Sequence, residues 1–184
     1  GDVYKRQLTD TGTNKEFEWC DRVLSNLQLP YIAMIGNHDF LGTGEEYYAK
    51  KYGRKNFSMI AGRVKFVFLN TNATEYDYVA SVPDLNYIRQ QAEEDSLRFD
   101  RTLVLMHARP YSDQFNNNIA EPFEHYLQYF LKPMFCINGH DHAVQKEDLF
   151  NDGLMYYGMP SVVKRKYFIF TITPNSYRYE EIDF

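Results

Sequence analysis

Cysteine is scarce in this chain of 184 residues: there are two, Cys20 and Cys136. Cys20 falls in a helical pattern and Cys136 in a strand pattern, so both are expected as small buried hydrophobes rather than a disulfide or thiolate metal ligands. Long apolar runs are absent, since no segment approaches about eighteen apolar residues, and no membrane-spanning helix is expected. An excess of basic charge is missing too. The formal net charge of −5 argues against a nucleic-acid-binding protein, which normally carries a basic face. The short clusters Lys50-Lys51, Arg54-Lys55 and Lys164-Arg165-Lys166 read as solvated surface, with phosphate steering as the alternative. Internal repeats and low-complexity tracts are also lacking.

Aromatics are what the chain has in abundance. Sixteen Tyr and fourteen Phe suit a strand-rich interior filled by large side chains. The length suits a single domain with a substantial core. Thr13-Asn14-Lys15-Glu16 has the form of a capping box and opens a helix with Phe17, Cys20, Val23, Leu24 and Leu27 on one face. A short helix is expected over 44–52, a hairpin of 56–60 and 64–69, a long helix from Pro83 to about Phe99, and a helix from Pro122 to about Leu131. Beyond residue 143 the helical patterns stop. Segments 144–150, 155–158, 167–173 and 176–182 read as consecutive antiparallel strands.

Three apolar runs, Tyr31–Ile35, Thr102–Met106 and Met134–Asn138, have the form of buried parallel strands. Each is followed at once by polar chemistry: Gly36-Asn37-His38-Asp39, then His107, then Gly139-His140-Asp141-His142. Parallel strands deliver the residues at their carboxyl ends to one crevice. An amide, four imidazoles and two carboxylates are therefore expected to converge, and imidazole with amide or carboxylate oxygen is a ligand set for zinc, iron or manganese.

In these motifs the chain resembles the calcineurin-like metallophosphoesterases, a family marked by D-x-H, G-D, G-N-H-[DE], a lone H and G-H-x-H in that order. The last three blocks are present in order. D-x-H is absent, and Leu8-Thr9-Asp10 matches the tail of the G-D block without its head. Residues 1–7, Gly-Asp-Val-Tyr-Lys-Arg-Gln, are expected to be non-native, because they translate the end of a transposase adapter used in shotgun sequencing. Residues 8–184 would then form a partial phosphoesterase domain lacking its first strand and helix, with an unpaired strand edge where they belong. The resemblance implies an α/β fold of layered mixed sheets flanked by helices, with the metal site at strand ends.

The same resemblance implies the roles. Asn37, His107 and His140 would hold one divalent ion, completed by an aspartate of the missing G-D block. His142 would bind a second ion beside further absent ligands. The cofactors implied are two divalent metals, Mn, Fe or Zn. His38 would be the general acid on the leaving group, with Asp39 orienting its ring. Asp141 has two readings, a support for the ligands or a turn residue. Arg109 is a candidate phosphate contact, although His107-Ala108-Arg109-Pro110 is one residue longer than the family's H-x-P. Tyr111 and Asn116–Asn118 could border the pocket, and His125 is expected on the surface. The implied activity is hydrolysis of phosphomonoesters or phosphodiesters by a hydroxide shared between two metals, with a phosphate ester as partner. This chain is expected to be impaired in it. A non-catalytic binding member of the fold and a nuclease are the alternatives.

Overall fold

The computed structural model describes residues 3–5, 8–94, 97–174 and 176–184. Its elements run β1 (Val3–Lys5), α1 (Asn14–Leu24), β2 (Tyr31–Ala33), α2 (Gly44–Tyr52), β3 (Phe57–Ala61), β4 (Val64–Leu69) and α3 (Leu85–Ala92). They continue with β5 (Arg101–Met106), α4 (Ala120–Leu127), β6 (Pro133–Asn138), β7 (Gln145–Asp148), β8 (Met155–Gly158), β9 (Lys166–Ile172) and β10 (Tyr177–Asp183). The expected layered α/β architecture is present. Its centre is a six-stranded mixed sheet in the order β3-β4-β5-β6-β8-β7. Strands β4, β5, β6 and β8 run parallel, with β3 and β7 antiparallel at the two edges.

Side chains alternate across a strand, so the central strands feed two cores. Val67, Leu69, Val104, Met106, Cys136 and Tyr156 point to one face and pack on Ile88 of α3 and on Ala120, Phe123 and Leu127 of α4. Val64, Phe68, Leu103, Leu105, Phe135, Ile137 and Tyr157 point to the other, where Phe170, Ile172 and Tyr177 of the β9–β10 ribbon cover them. A third cluster joins α1, α2 and β2 through Phe17, Cys20, Leu24, Ala33, Ile35 and Tyr48. Both cysteines are buried, as expected.

Local chemistry fixes the helix ends. Glu16 reaches back to accept from the Thr13 and Thr11 amides at 3.0 and 3.1 Å, satisfying donors at the start of α1. Asp84 caps α3 by accepting from the Tyr87 amide at 3.0 Å. Helix α3 stops at Ala92, well short of Phe99, and Leu97 is 81% exposed. Val23, expected on the buried face of α1, is exposed.

Two topological expectations change. Strand β2 lies outside the six-stranded sheet and pairs in parallel with β1, so the edge expected to be open is covered on that side. The final four strands are not one meander: β8 joins β6 in parallel, and β9 with β10 forms a separate antiparallel ribbon. Of the first seven residues, Gly1, Asp2, Arg6 and Gln7 lie outside the described ones, and with them most of the segment expected to be non-native. Among the described residues, no helix is long and apolar enough to cross a membrane.

Candidate metal centre

Strands β5 and β6 are neighbours, so the residues after them meet. Gly139 and His140 both donate their amides to the His107 carbonyl at 2.9 Å, which locks the two strand ends together. The segment after β2 arrives from another sheet. It is moored by the Asn72 side-chain amide, which donates to the Ile35 carbonyl at 3.3 Å, while Thr71 accepts from the Ala108 amide at 2.9 Å. Asn70, Thr71 and Asn72 follow β4 directly and are buried, so the loop after β4 holds both neighbours.

Three of the predicted ligands come together. Asn37 Oδ1 stands 2.9 Å from His107 Nε2, and His140 Nδ1 stands 3.2 Å from the same nitrogen. The two imidazole rings meet edge to face at 69°, with centroids 5.1 Å apart. Donor atoms sharing one cation at about 2.1 Å stand roughly 3 Å from one another, which is the separation seen here. The protons tell the same story. A neutral His107 Nε2 can donate at most one proton, yet it faces both an amide oxygen and an imidazole nitrogen. Among the described residues no three His, Cys, Asp or Glu side chains are placed to hold a metal. The convergence amounts to two imidazoles and one amide, a set that fits one divalent ion with open positions. His142 shares the turn of His140, with its backbone in the left-handed region at φ 53°.

His38 follows Asn37 directly, and its Nδ1 edge is turned to Asp10. Its Nδ1 stands 2.7 Å from the Asp10 carbonyl and 3.3 Å from the Asp10 carboxylate. The loop carrying Asp10 is pressed close to that after β2: a Cβ added at Gly12 would sit 2.0 Å from the Leu41 carbonyl, and Gly12 has φ +68°. Gly36 has φ −106°, ordinary extended backbone, so no special conformation explains it.

Asp39 does not orient His38, which corrects the expected role. Its carboxylate is fully buried and accepts from the amides of Leu8, Thr9 and Gly36 at 3.0, 2.8 and 2.9 Å, and from the Thr9 hydroxyl at 2.8 Å. Burial raises this carboxyl above its ordinary value, and the hydrogen bonds pull it back. Asp39 is a structural tie between β2's exit loop and residues 8–9, and Asp10 takes the place beside the imidazole. The tail Leu8-Thr9-Asp10 was the sequence signal for this.

Arg109 is also engaged differently. Its Nε donates to Asp141 Oδ2 at 2.9 Å and to Gln145 at 3.3 Å, and Glu147 lies 3.6 Å from the guanidinium. These carboxylates occupy the fork expected to bind phosphate, and the contact ties Asp141, between His140 and His142, to the segment after β5. Asp113 went unnoticed in the sequence, and its Oδ1 stands 2.8 Å from His140 Nε2. Only its place in a polar loop marked it. Tyr111 donates its hydroxyl to Glu121 at 3.0 Å and is half exposed, and His125 contacts Tyr129 on the surface.

A family model described as calcineurin-like phosphoesterase matches residues 1–144. No curated protein matches the chain in sequence. Among solved structures, the chain is similar to one described as GAP50, the anchor in the inner membrane complex of Plasmodium, at 12% identity and a TM-score of 0.61. The match covers 87% of this chain and 61% of that one, so the chain spans less than two thirds of its neighbour. At that identity the likeness shows the fold alone.

Proposed function

This chain belongs to the calcineurin-like phosphoesterase family, and on that premise we propose that its site holds one divalent cation and serves phosphate-ester hydrolysis. The observation that carries the reading is the trio Asn37 Oδ1, His107 Nε2 and His140 Nδ1 with neighbours at 2.9 and 3.2 Å. These three atoms would hold the ion, and Mn, Fe or Zn suits them better than Ca. The ion would supply Lewis-acid polarisation of a phosphoryl oxygen and of water.

The remaining chemistry belongs to the chain. A departing alkoxide must gain a proton, and His38, next in sequence to Asn37, is the group we assign to that step. With Nδ1 held by Asp10, the other ring nitrogen, Nε2, is the one left to carry that proton. The D-x-H block and the head of the G-D block are absent from this sequence, so its turnover is expected far below that of a version carrying them. A purely binding role is the rival. It is favoured by the incomplete donor set and opposed by His38 with its Asp10 contact, which a binder does not need.

Metal content after dialysis against Mn2+ or Zn2+, read beside bis(p-nitrophenyl) phosphate hydrolysis, tests this. One ion per chain, lost in His107→Ala, with slow EDTA-sensitive turnover, is expected. No ion, or metal uptake that survives His107→Ala, would overturn the assignment; one ion without any turnover would favour the binding role.

A further inference from the structure

We propose that Asp113 is the positioning residue for His140, fixing the imidazole with its Nδ1 toward the cation site; this rests on the metal centre proposed above. His140 has two ring nitrogens with opposite surroundings. Nδ1 faces His107 Nε2 at 3.2 Å, and Nε2 faces the Asp113 carboxylate at 2.8 Å. A carboxylate can only accept, so the proton must sit on Nε2, and Nδ1 then presents its lone pair inward. That is the arrangement a ligating histidine needs: one nitrogen for the ion, the other tied to a carboxylate that sets tautomer and ring orientation.

The Asp113 side chain is 90% exposed, so water competes for it, and the contact depends on how well its backbone is held. It is held closely. Ser112 and Gln114 on either side are buried, and Phe115 is packed in the core. The Ser112 amide donates to the Arg109 carbonyl at 3.2 Å, and Asn117 bridges the loop by accepting from the Tyr111 amide at 2.7 Å and donating to the Ser112 carbonyl at 3.0 Å. The Gln114 carbonyl accepts from the Ala73 amide at 3.0 Å, and its side chain donates to Glu75 at 2.6 Å. The carboxylate is thus presented from an anchored backbone, and only its own side-chain torsions remain to be fixed on making the bond. The start of the same loop grips the next residue, through Arg109 on Asp141 at 2.9 Å. Two contacts from one strap therefore hold the His140-Asp141 turn.

The test uses the metal-free chain at a pH where imidazole is neutral, with long-range proton–nitrogen correlation spectra reading the His140 tautomer. Zn2+ titration calorimetry is run in parallel. Wild type is expected as the Nε2–H form. Asp113→Ala is expected as a mixture of tautomers, with Zn2+ bound roughly 10- to 100-fold more weakly. Asp113→Asn keeps an accepting oxygen and is expected to restore the tautomer and most of the affinity. An unchanged tautomer in Asp113→Ala, or Zn2+ affinity within about twofold of a binding wild type, would overturn the role. If wild type takes up no Zn2+, the metal centre itself fails, and the tautomer comparison alone judges Asp113.

Discussion

Asp39 and Asp10 show how a single carboxylate can be misread. Adjacency in sequence favours Asp39 as the partner of His38, but adjacent residues on a tight turn point apart, and Asp10 is 28 positions away. What the motif does encode at Asp39 is a hub for four donors. Replacement by Asn keeps the shape but turns an NH2 toward backbone amides, leaving buried donors unmatched at about 1–3 kcal/mol each. Asp39→Asn is therefore expected to lower unfolding free energy by about 3 kcal/mol, read as a lower urea midpoint. A midpoint equal to wild type would refute the hub. The convergence of Asn37, His107 and His140, the proposed ligands, was legible because each follows an apolar run. Asp113 and the Arg109–Asp141 pair were not, because loop-to-loop contacts leave no periodic trace.

At the scale of elements, the strands that carry the site were legible to within a residue or two, and their partners were not. Apolar patterning marks β2 as a strand but does not say which sheet it joins, since that is decided by residues far along the chain. Helix α4 carries a similar hidden choice. Its Glu124 turns inward to accept from the Tyr156 hydroxyl on β8 and from Gln128 Nε2 at 3.1 Å. Burial pushes its carboxyl up from 4.5 to about 7. The folded state therefore holds a proton that the unfolded chain releases at about pH 4.5, so the group's contribution is fully present at lower pH and is lost as pH rises through about 7. The decline is expected at no more than about 1.4 kcal/mol per pH unit. Urea midpoints from pH 5 to 8 should fall more steeply for wild type than for Glu124→Gln, which cannot titrate. Parallel curves would remove Glu124 from the account.

For the whole molecule, the site lies where separately packed units meet. Asn37 comes after β2, and Ala33 of β2 with Ile35 just beyond it belongs to the α1–α2 cluster, whereas His107 and His140 leave the central sheet. Along β2 and the residues just after it, the alternation sends Ile32 and Met34 into the sheet's own core, so one short segment is shared by both. A cation bound by Asn37, His107 and His140 would span that junction, binding the folded chain only. Linkage then requires stabilisation that grows with the logarithm of metal concentration, about 2.7 kcal/mol at one hundred times Kd. At roughly 2–4 °C per kcal/mol for a chain of this size, melting should rise by about 5–10 °C. Zn2+ is expected to produce that shift in wild type and not in Asn37→Ala or His107→Ala. The response should also appear in hydrogen exchange, as slower exchange in residues 36–41 as well as 107–109 and 139–142, because an ion held by both sides must quiet both. Protection confined to residues 139–142, with Asn37→Ala melting as wild type does under Zn2+, would place the ion on the sheet side alone and remove Asn37 from its ligands.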